Sequence, residues 1–165
     1  MKLFFHISLI IVLVGCSNSS GINTVGPMET FPDFSVQNSN GLYIPSIAKE
    51  IKKGPFVVFV FDPDCPYCQK QTRDLIENSE LLKTIHIYMI TIAPFNQMAN
   101  FYKDFKLDTQ PNITLWRDSG RFTLKFFKLQ AVPFTAIYNK NHFLDSTFNG
   151  MVNTKTIVNV ISQRN

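Results

Sequence analysis

The sequence predicts an α/β fold in which a central mixed β-sheet is flanked by helices and extended by an N-terminal β-hairpin. First, strand-like apolar runs alternate with helix-like segments from residue 31 onward. Second, residues 56–61 are all apolar and β-branched or aromatic, which is typical of a strand buried on both faces. Third, two strand candidates near the C-terminus flank a turn at residues 139–141, and such an antiparallel pair makes the sheet mixed.

The order of the predicted elements follows from where the apolar pattern changes its period and where turn residues interrupt it. The Asn-Ser-Asn-Gly turn at residues 38–41 joins the two strands of the hairpin, and Gly54 and Pro55 end the first helix. Residues 122–129 fit either a helix or a strand. In chain order, the predicted elements are strands 33–37 and 42–44, helix 46–53, strand 56–61, helix 65–79, strand 85–92, helix 96–105, strands 113–116, 134–138 and 143–148, and helix 154–161.

Length and charge indicate a single globular domain and argue against a nucleic-acid partner. The chain has 165 residues, of which 45% are hydrophobic, and a formal net charge of +4. The basic residues are scattered along the chain, and so weak a positive charge does not support nucleic-acid binding.

The N-terminus has the pattern of a bacterial lipoprotein signal, which accounts for the odd number of cysteines. The apolar stretch at residues 3–14 has the length of a signal-peptide core and is short for a membrane span. It ends in Leu-Val-Gly-Cys at residues 13–16, which resembles the lipobox, where a peptidase cuts before Cys16 and a diacylglycerol is attached to its sulfur. We therefore predict a lipoprotein signal peptide at residues 1–15, a lipid-anchored flexible linker at 16–29 and a single domain at 30–165.

A lipid on Cys16 would tether the domain to a membrane on the periplasmic side of a bacterial cell envelope. In lipoproteins of the Gram-negative type, a serine after the lipidated cysteine, here Ser17, implies transfer to the outer membrane. This rule varies between bacterial groups, so the inner and the outer membrane are both retained as locations. The alternatives are a plain secretory signal or an uncleaved anchor. In an oxidising compartment, Cys65 and Cys68 are then available for redox chemistry.

Cys65 and Cys68 form a Cys-Pro-Tyr-Cys motif where the buried strand gives way to a helix. Residues three apart on a helix lie on one face with their Cβ atoms about 5–6 Å apart, which suits a reversible disulfide. At the helix N-terminus, unpaired N–H groups and the macrodipole stabilise a thiolate, so we predict that Cys65 attacks the substrate. The deeper Cys68 then resolves the mixed disulfide. Pro66 and Tyr67, between the cysteines, are candidates for substrate contact.

Other uses of a Cys-x-x-Cys pair fit the sequence less well. So short a loop would contribute little as a structural staple. A structural zinc would need further ligands, and the three histidines are far apart. Attachment of a c-type haem requires a histidine after the second cysteine, where this chain has Gln69. We therefore predict no metal site and no cofactor other than the Cys65–Cys68 disulfide itself, while copper held by two thiols stays open.

A second motif, Ala-Val-Pro-Phe-Thr at residues 131–135, places Pro133 at the start of a strand, where a proline is tolerated. Together with the Cys-Pro-Tyr-Cys motif, it resembles the thioredoxin superfamily. Phe-Pro-Asp-Phe at residues 31–34 and the following turn are most similar to the TlpA-like and redoxin (AhpC/TSA-like) branch. The resemblance implies a thioredoxin-like fold, a cis peptide bond before Pro133, and a substrate-contacting backbone at Val132.

Two departures from the family pattern concern proton transfer and the direction of the reaction. The buried acid that thioredoxins place six residues before the nucleophile is replaced by Phe59. Asp62 and Asp64 are the candidates for its role, although such residues more often form turns and helix caps. The usual tryptophan before the first cysteine is replaced by Asp64, whose charge opposes a thiolate on Cys65 and favours reduction of substrates. The positive charge of Lys70 has the opposite effect on the Cys65 thiolate, so the preference for reduction is slight.

These features predict a membrane-tethered extracytoplasmic thiol–disulfide oxidoreductase that reduces disulfides. Its partners would be protein dithiols and disulfides of the cell envelope and a membrane redox protein. A peroxiredoxin-like antioxidant is an alternative, but the Thr-x-x-Cys pattern of those proteins is absent because Asp62 stands three residues before Cys65. A non-enzymatic copper chaperone is another alternative, although copper chaperones of similar fold tend to have a wider Cys-x-x-x-Cys motif.

Overall fold

The computed structural model describes residues 29–163, and the predicted signal peptide, Cys16 and the linker up to residue 28 lie outside this range. Within residues 29–163, no helix has the length and apolar character that crossing a membrane requires. The strands and α-helices of the described range are β1 (Val36–Asn38), β2 (Tyr43–Ile44), β3 (Phe56–Val60), α1 (Pro66–Glu77), β4 (His86–Thr91), α2 (Phe95–Asp104), β5 (Ile113–Arg117), α3 (Phe122–Phe126), β6 (Phe134–Tyr138), β7 (Leu144–Asn149) and α4 (Thr154–Gln163).

The strands form one mixed sheet in the order β2-β1-β5-β4-β3-β6-β7, so the predicted fold class is confirmed. β3, β4 and β5 are parallel, because α1 and α2 return the chain across the sheet between them. β6 is antiparallel to both β3 and β7. The β1–β2 hairpin joins the other side of the sheet through antiparallel pairing of β1 with β5. β3 therefore lies near the middle of the sheet, and its carboxyl end leads into α1.

The side chains of β3 alternate between two differently covered faces of the sheet. Phe59 lies on the face that α1, α2 and α4 cover, which we call the helical face. Phe56 and Val58 lie on the opposite face, which we call the aromatic face, beneath α3 and residues 31–51. Each buried side chain of this size contributes roughly 1.5–3 kcal/mol to stability. The aromatic face takes its name from the buried rings of Phe34, Phe56, Tyr88, Trp116, Phe134 and Tyr138.

Two predicted elements near the N-terminus are shorter than expected. The strand predicted at residues 33–37 begins only at Val36. Asp33 instead uses its carboxylate to accept hydrogen bonds from the Ser46 hydroxyl at 2.7 Å and the Ala48 N–H at 3.0 Å. These bonds tie Asp33 to residues 46–48 outside any strand, so the prediction of an extended strand through Asp33 was wrong.

The helix predicted at residues 46–53 is a single 3-10 turn, Ile47–Lys49. Tyr88 explains why it stops there. Its hydroxyl accepts a hydrogen bond from the Lys52 N–H at 2.7 Å and donates one to the Glu50 carbonyl at 3.1 Å. A tertiary contact thus replaces hydrogen bonds that a longer helix would make, and it overrides the local apolar pattern.

The ambiguous segment at residues 122–129 begins with a short helix, α3. The Asp118 carboxylate accepts hydrogen bonds from both the N–H and the hydroxyl of Thr123, each at 2.7 Å. A carboxylate that satisfies a free N–H group in the first turn stabilises a helix over a strand. The turn before this segment therefore decides its conformation.

Candidate active site

The chain passes from β3 to α1 through a tight turn that Asp62 organises. Its Oδ1 accepts a hydrogen bond from the Asp64 N–H at 2.8 Å, and its carbonyl accepts one from the Cys65 N–H at 3.1 Å. α1 begins at Pro66, which leaves Cys65 as the N-cap residue. The expected turn role of Asp62 is confirmed, whereas the expectation that an aspartate caps the helix was wrong, because Cys65 does so.

The Cys65 sulfur accepts a hydrogen bond from the Cys68 N–H at 3.4 Å. This N–H belongs to the first turn of the helix and has no partner within it. A negative charge on the sulfur would also be stabilised by the positive end of the helix dipole. Cys65 is half-buried, and both cysteines are free thiols. Cys65 therefore combines partial access to solvent with a position at the N-terminus of a helix.

Cys68 lies one turn further along α1 and is fully buried on the helical face. Burial raises the pKa of the Cys68 thiol to about 12. The Asp62 N–H lowers this pKa in part, while the Cys65 side chain and the Asp62 charge raise it further. The two sulfurs are thus chemically unlike, since one is accessible and the other is held as a buried thiol.

The loop before β6 faces the cysteines, as the family resemblance implied. The Val132–Pro133 peptide bond is cis, which confirms that prediction. The Cys65 thiol lies 3.9 Å from the Val132 carbonyl oxygen, although the two residues are 67 apart in sequence. Pro133 is buried, and its carbonyl accepts a hydrogen bond from the Gly150 N–H at 2.8 Å. A substrate segment that lay along Val132 would therefore meet the Cys65 sulfur.

The remaining predicted contact residues, Pro66 and Tyr67, are exposed at the start of α1, and Tyr67 is 67% exposed. A pocket of about 190 Å³ opens beside Val132. A larger groove of about 560 Å³ between α1 and α2 reaches the site only through the turn residues Pro63 and Asp64. The smaller pocket includes Val132, whose carbonyl lies 3.9 Å from the Cys65 sulfur. Its apolar lining consists of Val60, Phe61, Ile92, Leu124, Leu129, Ala131 and Val132.

Sequence reasoning missed a buried polar residue that ties α1 to the strand after the cis-proline. Gln71 is fully buried. Its side-chain amide donates a hydrogen bond to the Thr135 hydroxyl at 2.9 Å, and its Oε1 accepts one from the Val152 N–H at 3.2 Å. The available signal was its position three residues after Cys68 and four before Leu75, on the inward face of the helix.

Metal-ligating side chains are not concentrated near the cysteines. Among residues 29–163, no group of three or more His, Cys, Asp and Glu side chains could hold a metal ion. His86 is buried on the aromatic face at the start of β4, where its Nε2 lies 2.8 Å from the Thr114 hydroxyl. It pairs with Phe56 at the amino end of β3, and the cysteines follow the opposite end of that strand.

A family model described as a thioredoxin-like domain matches residues 46–163, which is more than half of the chain. The chain belongs to this thioredoxin-like family. The matched range includes both cysteines and Pro133, so the site lies within the part of the chain that the family model matches. No curated protein matches the chain in sequence.

Several solved structures share the thioredoxin-like fold at low sequence identity. A secreted disulfide oxidoreductase of Mycobacterium tuberculosis, homologous to E. coli DsbE, has a TM-score of 0.64 and 15% identity, covering 79% of this chain and 95% of its own. The peroxidoxin BcpB of the same organism has a TM-score of 0.70 and 13% identity, covering 84% and 97%. StoA of Bacillus subtilis has a TM-score of 0.57 and 15% identity, covering 78% and 96%. These likenesses concern the fold.

Proposed function

We propose that this chain is a thiol–disulfide oxidoreductase that is tethered to the outer side of a bacterial membrane and reduces disulfides of envelope proteins. The observation that carries the proposal is the pair of unlike sulfurs. Cys65 is accessible at the helix N-terminus, 3.9 Å from the Val132 carbonyl, and Cys68 is fully buried behind it. The thioredoxin-like family match and the fold shared with a secreted disulfide oxidoreductase support it.

The reaction consists of two exchanges. The Cys65 thiolate attacks one sulfur of a substrate disulfide, which expels the other substrate sulfur as a thiolate and leaves a mixed disulfide. Cys68 then loses its proton and attacks the Cys65 sulfur, which expels the second substrate thiolate and closes the Cys65–Cys68 disulfide. Two electrons pass to the substrate, and a dithiol partner in the membrane would return them.

Contact with the substrate is assigned to both sides of the reactive sulfur. Val132, beside the cis-proline Pro133, offers its backbone to an extended substrate segment, and the exposed Pro66 and Tyr67, between the two cysteines, are the other proposed contacts. The reductive direction is the hypothesis drawn from the sequence: the exposed Asp64 lies directly before Cys65, and the exposed Lys70 acts in the opposite direction, so these charges favour reduction only slightly.

The reduction potential of the purified chain tests the proposal, measured by equilibration with glutathione and with dithiothreitol. We expect a two-electron couple near the value of thioredoxin, about −270 mV, whereas a value near that of DsbA, about −120 mV, would instead indicate oxidation of folding clients. Cys65→Ser should abolish disulfide reduction, and Cys68→Ser should accumulate a mixed disulfide. If the wild-type chain does not titrate as a dithiol couple and retains copper, the chain is a copper-binding protein.

We extend the proposal to the N-terminus, where residues 1–15 are a lipoprotein signal, Cys16 carries the lipid, and residues 16–29 link it to the domain at 30–165. The Leu-Val-Gly-Cys sequence supports this assignment. In bacterial cells, Cys16→Ser should move the protein from the membrane fraction to the soluble fraction and prevent incorporation of labelled fatty acid. Membrane retention and unchanged labelling would contradict the assignment.

A further inference from the structure

Three lysines from two separate loops surround a cavity at the end of the sheet that lies opposite the cysteines. Lys52 and Lys53 precede β3, and Lys83 precedes β4. Because β3 and β4 are parallel and Phe56 pairs with His86, the two loops meet at the same edge of the sheet. The three lysines line a cavity of about 200 Å³, and its other lining residues within 29–163 include no carboxylate. A cavity with this charge favours an anion.

The three lysines are exposed, so their ammonium groups are accessible to a partner. Lys83 forms an ion pair with Glu80, in which the two side chains remain 67% and 80% exposed. Exposed pairs contribute little free energy, so another anion can compete for Lys83. Glu50, two residues before Lys52, is exposed but does not line the cavity. Leu81 is 46% exposed beside Glu80, and an exposed apolar side chain next to lysines suits the headgroup region of a bilayer.

The described part of the chain begins at this same end of the sheet. The Glu29 carbonyl accepts a hydrogen bond from the Leu144 N–H at 2.8 Å. Leu144 pairs with Tyr138, and Tyr138 pairs with Phe56 at the amino end of β3. In the proposed lipoprotein, the chain between Cys16 and Glu29 joins this end of the domain to the lipid. Its length allows a span of at most about 45 Å, so the domain stays close to the bilayer.

The name basic surface is used below for Lys52, Lys53, Lys83 and Leu81. We propose that the basic surface binds the phosphate headgroups of anionic lipids in the membrane that holds the tether. This inference rests on the lipid attachment proposed above. Each lysine close to an anionic bilayer strengthens binding about fivefold. The five residues of β3, at about 3.3 Å each, separate the basic surface from the turn before Cys65 by at least about 13 Å. The docked domain therefore presents the reactive sulfur away from the bilayer, where envelope proteins can reach it.

The test uses the full chain as bacterial cells process it, reconstituted into vesicles of phosphatidylcholine alone or of phosphatidylcholine with phosphatidylglycerol. An amine-reactive acetylating reagent labels exposed lysines, and mass spectrometry gives the labelling rate at each of them. Lys125, which is exposed on α3 beyond the carboxyl end of β5, is the internal reference. In parallel, the uncharged reagent N-ethylmaleimide measures how accessible the Cys65 thiol is on each kind of vesicle.

We expect phosphatidylglycerol to slow the labelling of Lys52, Lys53 and Lys83 about fivefold or more relative to Lys125. Added salt should restore the labelling, because it screens the attraction. Cys65 should react equally fast on both kinds of vesicle, since it faces away from the bilayer. Equal lysine labelling on both kinds of vesicle, or slower reaction of Cys65 on the anionic ones, overturns the proposal. Equal protection by inorganic phosphate on neutral vesicles would show a site for a free anion and overturn the lipid as its occupant.

The variant that carries both Lys52→Gln and Lys53→Gln tests the basic surface directly. Loss of two lysines should weaken docking roughly 25-fold, so Lys83 should be labelled on anionic vesicles nearly as fast as on neutral ones. The matched control carries Arg121→Gln and Lys125→Gln, which remove two exposed charges after the carboxyl end of β5. Lys83 should stay protected in this control. Full protection of Lys83 in the first variant overturns the proposal.

The same vesicles separate the basic surface from the lipid attachment on which it builds. Wild-type chain that remains with anionic vesicles but not with neutral ones would overturn the lipid on Cys16 and support the basic surface. Chain that remains with both kinds of vesicle without protection of Lys83 would overturn the basic surface and support the lipid.

Discussion

The helical and aromatic faces of the sheet use different side chains for different purposes. The helical face carries Cys68 and buries polar groups that hydrogen-bond across elements, such as Gln71 with Thr135. The aromatic face is held by ring contacts, including the stacked pair Tyr88–Trp116 with ring centres 4.7 Å apart. Both faces contain hydrogen bonds and ring contacts, such as those of the Tyr88 hydroxyl and of Phe61 with Phe101, but the buried Cys68 thiol lies only on the face that α1 covers.

The two faces meet at the active site. Val132 packs against the cores of both faces, and its carbonyl lies beside the Cys65 sulfur. Measuring both unfolding free energy and thiol reactivity after a substitution deep in either face therefore shows whether that face acts on stability alone or also on the site.

Trp116→Ala should cause the largest loss of stability, about 3–5 kcal/mol, because it leaves a cavity in the aromatic face. The reduction potential of the folded protein should stay at the wild-type value, since the cysteines lie on the other side of the sheet. Urea denaturation and thiol equilibration measure the two quantities. Tyr43→Ala, which removes a ring that is 69% exposed, is the control and should change little. A potential that shifts with Trp116→Ala would mean that the faces are coupled.

Gln71→Met should cost about 2–3 kcal/mol, because the Thr135 hydroxyl and the Val152 N–H both lose a buried partner. On the helical face, we expect the loss of stability to be accompanied by slower disulfide exchange, since α1 is no longer fixed against β6. Thr135→Val removes one of the two bonds and should cost less. The losses in unfolding free energy of the two substitutions should not add in the double variant, because Gln71 and Thr135 share a hydrogen bond. Simple additivity would contradict the proposed role of that bond.

His86 should make the aromatic face sensitive to acid. Burial, and to a smaller extent the charge of Lys52, lowers the pKa of His86 from 6.5 to about 4, so between these values the unfolded chain binds a proton that the folded chain excludes. The contribution of His86 is therefore fully present above about pH 6.5 and is lost as the pH falls towards 4, by roughly 2–3 kcal/mol.

His86→Gln provides the control for this acid sensitivity, since it retains a hydrogen-bonding group near Thr114 but does not titrate. Unfolding by urea at a series of pH values should show a steeper loss for wild type than for His86→Gln. Parallel curves would show that other groups cause the acid sensitivity.

Tyr138→Phe should have the smallest effect, within about 1 kcal/mol of wild type and neutral or stabilising. The Tyr138 hydroxyl is buried and has no hydrogen-bond partner among residues 29–163, while its ring stacks on Phe56 with centres 4.7 Å apart. Removing the hydroxyl keeps the ring contact and relieves a buried polar atom. Thermal unfolding measures the change, and a loss of several kcal/mol would reveal a partner for that oxygen.

The predictability of each segment depended on whether its pattern was local. The strand at residues 56–61 and the helix that carries the cysteines were found because a continuous apolar run and a Cys-Pro-Tyr-Cys motif constrain the chain locally. The helix predicted at 46–53 does not extend past its first turn, because the Lys52 N–H bonds to the Tyr88 hydroxyl, 36 residues further along the chain. The segment at 122–129 was decided by the carboxylate of Asp118.

The sequence alone determined the candidate cysteines, because their spacing and residue types are local features. The cis bond before Pro133 was implied by the resemblance to thioredoxin-like proteins. Only the tertiary structure gave the distance between the Val132 carbonyl and the Cys65 sulfur, showed that Cys68 is completely buried and set Gln71 against Thr135. It also placed the Asp62 carbonyl where it accepts a hydrogen bond from the Cys65 N–H at 3.1 Å. These relations join residues that are up to 67 positions apart, and such contacts are fixed by how strands and helices pack rather than by any local pattern.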